Sequence, residues 1–288
     1  MLDLRSIKDY LVDDIEIVDE ADELGFVISH GHRFLTFIGH PKFFDEARQN
    51  SDVKAVLWED KFPTPEDSGR IKIIRVNKAQ LAFGVLHNSL RSTIKYDKSS
   101  IHPSAKVHSS SWVEDVGVTI EEGVLIEPFV TIFAGTTIRK NTIIRSGVRL
   151  GTDALDIKAK PDGTFLMSDH IGRLIIGENV EIGHNSVVDR AIFRHQITTI
   201  GDNTKIACLV NISHGVELGK RNKITAGVKI CGSTVVGDDN WFGPGVIISH
   251  LRKVGSRNYF TLGSSVFEDI ADDWKIVGPK IFKDRKLF

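Results

Sequence analysis

Residues 200–250 decide the fold and read IGDNTKIACLVNISHGVELGKRNKITAGVKICGSTVVGDDNWFGPGVIISH. An apolar residue recurs at every sixth position, without a break from Ile200 to Val266. A helix repeats every 3.6 residues and a flat strand every two, so this period fits neither. It fits a short strand followed by a tight turn, with one apolar side chain of each strand pointing to a common axis. Three such strands close a triangular coil of about 18 residues, and stacked coils form parallel sheets. We therefore predict a parallel β-helix of the hexapeptide type.

The same period occurs earlier in the chain, on both sides of an interruption. One run extends from Ile120 to Leu150, and another begins at Ile176. The intervening residues 151–173, GTDALDIKAKPDGTFLMSDHIGR, are polar and out of register, so we predict an excursion from the solenoid. A long loop on a rigid scaffold is commonly functional, with a plain surface loop as the alternative.

Residues 1–98 follow a different pattern and predict a small α/β domain. Its strand candidates are FVIS (26–29), FLTFIG (34–39), VKAVLWE (53–59) and IKIIRV (71–76), and residues 78–90 have helical spacing. A serine-rich stretch, YDKSSIHPSAKVHSSSW, contains the boundary. We predict two domains: 1–98, and 99–288 with the β-helix, the excursion loop 151–173 and a short C-terminal tail.

The composition of the chain excludes several classes of function. The chain has 37 Lys and Arg against 38 Asp and Glu, a formal charge of −1. It therefore lacks the excess of positive charge that attracts nucleic acid or an anionic membrane. No run of about 18 apolar residues is present, so we expect no membrane insertion. The acidic, amphipathic N-terminus lacks the features of a signal peptide. The two cysteines make no disulfide framework, and we expect a cytoplasmic location.

Two histidines and a glycine share one position of the repeat. His214 and His250 each follow an apolar repeat residue by two positions, and Gly232 lies midway between them. The period therefore places all three in one column along one edge of the prism, with the histidines about 10 Å apart. An imidazole with a pKa near 6.5 can accept a proton from an attacking amine or hydroxyl. A glycine N–H one coil away can stabilise the oxyanion. The column predicts acyl transfer, against the alternative that both histidines only face solvent.

The remaining histidines and both cysteines lack such a pattern. His184 falls on another edge, because its distance from His214 is not a whole number of coils. We interpret a further set as surface or loop residues: His102, His108, His170 and His195. No His-x-x-x-x-His pair is present, so we predict no metal site. Cys208 and Cys231 are interpreted as small packing residues.

The repeat region resembles the left-handed β-helix acyltransferases, and among them the UDP-3-O-(3-hydroxyacyl)glucosamine N-acyltransferases of lipid A synthesis. The segments that carry the resemblance are GRLIIGENVEIGHNSVVDR (172–190), LVNISHGVELG (209–219) and ICGSTVVG (230–237). It extends into the first half through residues 34–47, 53–60 and 71–86. The resemblance implies a left-handed coil, an N-terminal domain that reads the nucleotide, and a homotrimer.

The same resemblance implies roles for individual residues of the β-helix. His214 occupies the position of the general base and Gly232 that of the oxyanion donor. His250 matches a second histidine that supports the substrate, and we also assign Asn211 and Asp153 to substrate binding.

In the N-terminal domain the family stacks uracil with an aromatic residue, an asparagine and a tyrosine spaced three apart. The matching positions here are Phe37, His40 and Phe43. The aromatic character needed for stacking is kept but the hydrogen-bonding pattern is not, with core packing as the alternative for the two phenylalanines.

The chain departs from the family at three places. Ala207 and Cys208 replace an Asp-Asn pair before the base, so either an acidic partner for His214 comes from elsewhere or the histidine acts without one. The segment after Arg190 is longer by about two residues. The C-terminus resembles the tail of coenzyme A-dependent sugar acetyltransferases instead of a helical extension for acyl carrier protein.

The departure at the C-terminus points to coenzyme A as the acyl carrier. A basic tail of Lys280, Lys283, Arg285 and Lys286 could meet the phosphates of coenzyme A, with a solubilising terminus as the alternative. In such enzymes the pantetheine arm lies between neighbouring coils. Leu262 and Gly263, on another edge, would then come from the adjacent subunit of the trimer and bind the cofactor.

Together these features predict an N-acyltransferase, with acetyl-coenzyme A as donor and a dTDP- or UDP-linked amino sugar as acceptor, for surface polysaccharide synthesis. The first alternative is transfer of a 3-hydroxyacyl group from acyl carrier protein to UDP-glucosamine. The second is a non-catalytic solenoid that binds sugar or acts as a scaffold.

Overall fold

The structure is a computed structural model and describes residues 1–278. The chain divides into two compact units. The first unit is Met1–Lys95 together with Leu155–Asp169, and the second is Tyr96–Ala154 together with the chain from His170 onward. The body of the excursion, which we predicted within the second domain, thus groups with the first unit.

The first unit is built on a sheet of four parallel strands. Its elements are β1 (Leu2–Asp3), β2 (Ile17–Val18), β3 (Glu23–Leu24), β4 (Phe34–Ile38), α1 (Phe44–Gln49), β5 (Val53–Glu59), β6 (Lys72–Val76) and α2 (Ala79–Ser89). Short 3-10 helices cover Arg5–Tyr10, Pro41–Phe43 and Leu90–Thr93. The sheet order is β3-β4-β5-β6, while β1 and β2 form an antiparallel pair. The four segments predicted at 34–39, 53–59, 71–76 and 78–90 are confirmed as β4, β5, β6 and α2.

One predicted strand of the first unit, FVIS at 26–29, is wrong. These residues form a turn, in which the Ser29 N–H donates to the Phe26 carbonyl at 2.9 Å. The Ser29 hydroxyl in return accepts a hydrogen bond from the Phe26 N–H at 2.9 Å. These local hydrogen bonds satisfy backbone groups that would otherwise pair with a neighbouring strand. The serine therefore stabilises a turn, although the β-branched residues before it favour a strand.

The second unit is a solenoid of short strands, interrupted by a hairpin that belongs to the first unit. The strands before the hairpin are β7 (Ser100–Ile101), β8 (Lys106–Val107), β9 (Trp112–Val113), β10 (Val118–Ile120), β11 (Leu125–Ile126), β12 (Thr131–Ile132), β13 (Thr136–Ile138), β14 (Ile143–Ile144) and β15 (Arg149–Thr152). The hairpin is β16 (Ile157–Ala159) and β17 (Phe165–Met167).

The solenoid continues with β18 (Arg173–Ile176), β19 (Glu181–Ile182), β20 (Val187–Asp189), β21 (Ile197–Ile200), β22 (Lys205–Ile206), β23 (Asn211–Ile212), β24 (Glu217–Leu218), β25 (Lys223–Ile224) and β26 (Lys229–Ile230). It ends with β27 (Val235–Val236), β28 (Trp241–Phe242), β29 (Ile247–Ile248), β30 (Lys253–Val254), β31 (Tyr259–Phe260), β32 (Ser265–Val266) and β33 (Lys275–Ile276).

These strands form three parallel sheets, and each turn of the chain visits the sheets in the same order. The first sheet is β7, β10, β13, β18, β21, β24, β27 and β30. The second is β8, β11, β14, β19, β22, β25, β28, β31 and β33, and the third is β9, β12, β15, β20, β23, β26, β29 and β32. The predicted left-handed parallel β-helix is confirmed. The repeated apolar residues fill its axis; the rings of Phe242 and Phe260 stack with centroids 4.7 Å apart.

The hairpin groups with the first unit because it packs on α2. The half-buried Leu166 lies close to Gly84, and a Cβ on Gly84 would be 2.8 Å from the Leu166 Cδ2, so a larger residue would require this side chain to shift. The side-chain amide of Asn88 donates to the Met167 carbonyl at 2.7 Å, and its oxygen accepts from the Asp169 N–H at 3.0 Å. One amide thereby satisfies two backbone groups of the returning strand.

Two ladders of polar side chains add to the apolar axis. Inside the coil, the side-chain oxygens of Asn222, Asn240 and Asn258 each accept a backbone N–H of the next turn, at 2.9, 2.8 and 2.7 Å. We name a second, exposed ladder the charged edge; it lies between the first and second sheets and consists of Arg221, Asp238, Asp239, Arg257, Asp272 and Asp273. Arginine and aspartate alternate along this edge from turn to turn.

Candidate functional site

The strand register places the predicted column on one edge of the prism. Asn211 pairs with Lys229 and Lys229 with Ile247, so the residues three positions later also align. His214, Gly232 and His250 therefore lie one above another on the edge between the third and first sheets. Their alignment was the main geometric prediction from the sequence, and it is confirmed.

The imidazole of His214 lies directly against Gly232. A Cβ built on Gly232 would be 2.5 Å from the His214 Cε1 and 2.6 Å from its Nε2. Both distances are shorter than real Cβ contacts, so the ring occupies the space that any larger residue at 232 would need. The next residue continues the turn, because the Ser233 N–H donates to the His214 carbonyl at 2.9 Å.

The backbone N–H of Gly232 belongs to a buried residue beside the His214 ring. Within residues 1–278 it donates no hydrogen bond to another group of the chain. The Gly232 carbonyl, in contrast, accepts from the Leu251 N–H at 3.0 Å, which ties this position to the turn above. A donor next to an imidazole is the pair of groups that acyl transfer requires.

A second histidine, His170, contacts the ring of His214. The two ring centroids are 5.7 Å apart and the planes meet at 77°, an edge-to-face arrangement. His170 lies outside any helix or strand, as a loop residue would, but it is 0% exposed, so it is not a surface residue. The excursion returns to the solenoid at this residue, and no period of the sequence extends through the excursion to reveal the contact.

A buried carboxyl lies one turn below the His214 strand. Asp189 is 5% exposed, and its Oδ1 accepts a hydrogen bond from the Thr152 hydroxyl at 2.6 Å. Burial raises the pKa of Asp189, while hydrogen bonds from Thr152 and Ser213 oppose the shift. Val188 pairs with Ile212, so Asp189 aligns with Ser213, the residue before His214. Asp189 therefore supports the strand end that carries the imidazole, a role that the sequence analysis missed.

Asp153, which we predicted to bind substrate, forms an ion pair in this structure. Its Oδ1 accepts from the Arg190 Nε at 2.9 Å and lies 2.8 Å from Nη2. The Arg190 guanidinium is almost fully buried, so this carboxylate compensates a desolvated charge. Asn211 lies on β23 with its backbone N–H bound to the Val228 carbonyl, and its side chain is half-buried. His250 is exposed.

The residues assigned to the cofactor lie elsewhere on the solenoid or outside the described range. Leu262 and Gly263 follow β31 and thus lie on the edge between the second and third sheets, where Leu262 is 70% exposed. His184 lies on the same edge and is exposed. The basic residues of the tail, Lys280, Lys283, Arg285 and Lys286, lie outside the described residues.

The three candidate nucleotide-binding residues of the first unit differ in their contacts. Phe37 on β4 packs against Phe83 of α2, with ring centroids 5.1 Å apart. His40 is exposed, and its Nδ1 accepts the Lys42 N–H at 3.2 Å, which caps the 3-10 helix at Pro41–Phe43. Phe43 is 41% exposed, and the Lys42 Nζ lies over its ring, 4.8 Å from the centroid. Phe43 is therefore accessible from solvent, whereas Phe37 belongs to the packing between sheet and helix.

Within residues 1–278 no group of three or more histidine, cysteine, aspartate or glutamate side chains is arranged to hold a metal ion. Both cysteines are free thiols and half-buried. The described part of the chain also contains no helix with the length and apolar character to cross a membrane.

Comparison with known proteins identifies relatives of part of the chain. No family model matches it. It is 40% identical over 72 residues to the UDP-3-O-acylglucosamine N-acyltransferase of Sinorhizobium fredii, which covers 25% of this chain and 20% of the relative. The enzyme of the same name from Coxiella burnetii is 37% identical over 73 residues, 25% of this chain and 21% of the relative. The chain thus matches about a fifth of the length of these curated relatives.

Solved structures with similarity to this chain are also acyltransferases by name. The UDP-N-acetylglucosamine acyltransferase from Campylobacter jejuni is 22% identical, with 59% of this chain and 68% of that chain covered and a TM-score of 0.40. A variant of perosamine N-acetyltransferase from Caulobacter crescentus, in complex with CoA and GDP-perosamine, is 17% identical, with coverages of 86% and 77% and a TM-score of 0.26. The chain has a left-handed β-helix of the hexapeptide-repeat type, and the matches of 72 and 73 residues confirm the resemblance noted in the sequence over that quarter of the chain.

Proposed function

We propose that this protein is a nucleotide-sugar N-acyltransferase in which His214 is the general base and the Gly232 N–H binds the oxyanion. The observation that carries the proposal is the contact between the His214 imidazole and Gly232, whose amide donates no hydrogen bond within residues 1–278. The partial matches to UDP-3-O-acylglucosamine N-acyltransferases support the same class of reaction.

The proposed reaction is aminolysis of a thioester. The amine nitrogen of the sugar attacks the thioester carbonyl carbon, and a C–N bond forms. The carbonyl oxygen becomes an oxyanion that accepts a hydrogen bond from the Gly232 amide. His214 accepts a proton from the nitrogen, the C–S bond breaks, and the thiolate leaves with a proton. The products are an amide and a free thiol.

Acetyl-coenzyme A is the proposed donor and a dTDP- or UDP-linked amino sugar the proposed acceptor. The exposed Phe43, with the neighbouring His40, is the proposed contact of the first unit with the nucleobase, since stacking requires an accessible ring. His250, Asn211 and Asp153 are proposed to contact the sugar.

The proposed assembly is a homotrimer, in which Leu262 and Gly263 of one subunit contact the coenzyme of its neighbour. Leu262 is 70% exposed and lies on a different edge from His214, as a shared site requires. Sedimentation of the full chain tests the assembly, because a monomer at assay concentration would leave this part of the site incomplete.

A thioester panel tests the function. The purified full chain is mixed with acetyl-coenzyme A or 3-hydroxyacyl-acyl carrier protein and a set of dTDP- and UDP-linked amino sugars, and products are identified by mass spectrometry. We expect amide formation with acetyl-coenzyme A. Activity with acyl carrier protein alone would replace the donor assignment, and no product with any pair would favour a non-catalytic sugar-binding or scaffold protein.

Two matched histidine variants test the role of His214. His214→Ala should lower kcat by about 10²–10⁴-fold, the usual contribution of a general base. His102→Ala is the control, because His102 is exposed and follows β7, on the edge between the first and second sheets. A normal rate in His214→Ala would remove His214 from this role.

A further inference from the structure

His170 is a buried histidine that the proposed reaction does not use. It is 0% exposed, and its ring meets the His214 ring edge to face with centroids 5.7 Å apart. Burial of an imidazole is costly unless its nitrogen atoms are hydrogen-bonded and its ring is well packed. Its placement beside the proposed base therefore requires an explanation.

A hydrogen bond to His170 defines the tautomer of this histidine and connects the chain on either side of the hairpin segment. Its Nε2 accepts the Ala154 N–H at 3.2 Å, so the neutral ring carries its proton on Nδ1. Ala154 is the last residue before the segment Leu155–Asp169, which groups with the first unit, and His170 is the first residue after it. This one bond therefore joins the two points at which the hairpin segment leaves and re-enters the solenoid.

The ring of His214 is contacted by Gly232 and by His170. Gly232 lies against its Cε1 and Nε2, and the ring of His170 packs edge to face with it. Charged or titratable groups on adjoining elements of the second unit include Asp189, linked through Ser213, and Arg190 with Asp153. An aromatic neighbour with a fixed orientation limits the rotation of an imidazole far more than solvent does.

We propose that His170 is a positioning residue that fixes the orientation of the His214 imidazole. This inference rests on the proposed function for its kinetic consequence, but the orientation of the ring is measurable without any activity. A displacement of about 1 Å at a reacting group can cost about 10²-fold in rate. His170 thereby connects the point where the hairpin segment rejoins the solenoid with the orientation of the proposed base.

His170→Gln separates the two roles of the side chain. The glutamine amide oxygen can still accept the Ala154 N–H, whereas the aromatic edge against His214 is lost. We expect kcat to fall by about 10- to 10²-fold with KM for both substrates unchanged within twofold. His102→Gln is the control, because His102 is exposed and bonds only to nearby Ser104. Circular dichroism and thermal melting establish that each variant is folded.

Crystal structures of the full-chain variants provide the readout that a purely structural role would not change. We expect one orientation of the His214 ring in the wild type and the His102→Gln variant, and a rotated or multiply oriented ring in His170→Gln. A single, unrotated His214 ring in His170→Gln would overturn the proposal. If the wild type transfers no acyl group, the proposed function fails, and the orientation of the ring alone still decides the positioning role.

Discussion

Replacement of Gly232 by alanine tests the proposed site most directly. The new Cβ would lie 2.5 Å from the His214 Cε1 and 2.6 Å from its Nε2. Ordinary van der Waals contact begins at 3.4 Å, so the ring must retreat by about 0.9 Å. The ring of His170, 5.7 Å away between centroids, restricts that movement.

The expected loss follows from this displacement. A misplacement of about 1 Å costs about 10²-fold in rate, or about 2.7 kcal/mol of transition-state stabilisation. Gly232 is not among the residues with positive φ, so alanine adds no backbone strain. The amide N–H is also kept, which leaves the oxyanion donor in place. We therefore expect kcat to fall by about 10²-fold while KM for the thioester and the amino sugar changes little.

The assay is steady-state release of free thiol from acetyl-coenzyme A, with the amino sugar varied. Cys231→Ala is the matched control, because it changes the adjacent residue and removes a thiol without approaching the imidazole. A kcat for Gly232→Ala within twofold of wild type would refute the reasoning, since the ring would then tolerate the displacement. A similar loss of kcat in Cys231→Ala would indicate that the effect comes from a change in the turn and not from displacement of the His214 ring.

Three further predictions concern the framework of the site. Asn240→Ala removes the acceptor of the Asn258 N–H and a donor to the Gly255 carbonyl. We expect the free energy of unfolding to fall by about 1–3 kcal/mol for each group left unsatisfied. Urea denaturation measures this loss, and an unchanged midpoint would contradict the prediction. Because burial raises the pKa of Asp189 above its unfolded value of 3.8, its stabilising contribution is present below that pH and is lost as the pH rises through the folded-state pKa. Asp189→Asn should therefore gain stability relative to wild type as the pH rises, and parallel stability curves would argue against a buried carboxyl. The Arg257 guanidinium holds the pKa of Asp273 below its usual value, so Arg257→Ala should raise that pKa in a carbon-13 NMR titration, whereas an unchanged value would exclude the ion pair in solution.

The β-helix was predictable because every strand requires the same pattern of apolar residues. One apolar residue in six points to the axis, and the residues that satisfy this rule from Ile200 to Val266 are those at the buried strand positions. The edge column followed from the same rule. His214, Gly232 and His250 needed only a correct count of residues per coil, which the strand register bears out.

The supporting residues of the site were harder to predict because they lie next to interruptions of the repeat. Asp189 aligns with Ser213 across an insertion, and the return of the period from Ile176 to Ile200 was a usable signal. His170 had no such signal, since its position depends on how the excursion closes through Ala154. In the first unit the FVIS segment misled the analysis, because composition does not show that Ser29 closes a turn.

The charged edge distinguishes each coil from its neighbours in an otherwise repetitive stack. The apolar interior alone would accept a chain that skipped one coil, since every turn presents a similar core. Arg221, Asp239, Arg257 and Asp273 alternate in sign from turn to turn. A skipped coil would therefore bring two arginines or two aspartates into contact, and like charges in direct opposition are destabilising. Mis-stacking of the solenoid is thus disfavoured at its surface, where the hydrophobic repeat cannot discriminate.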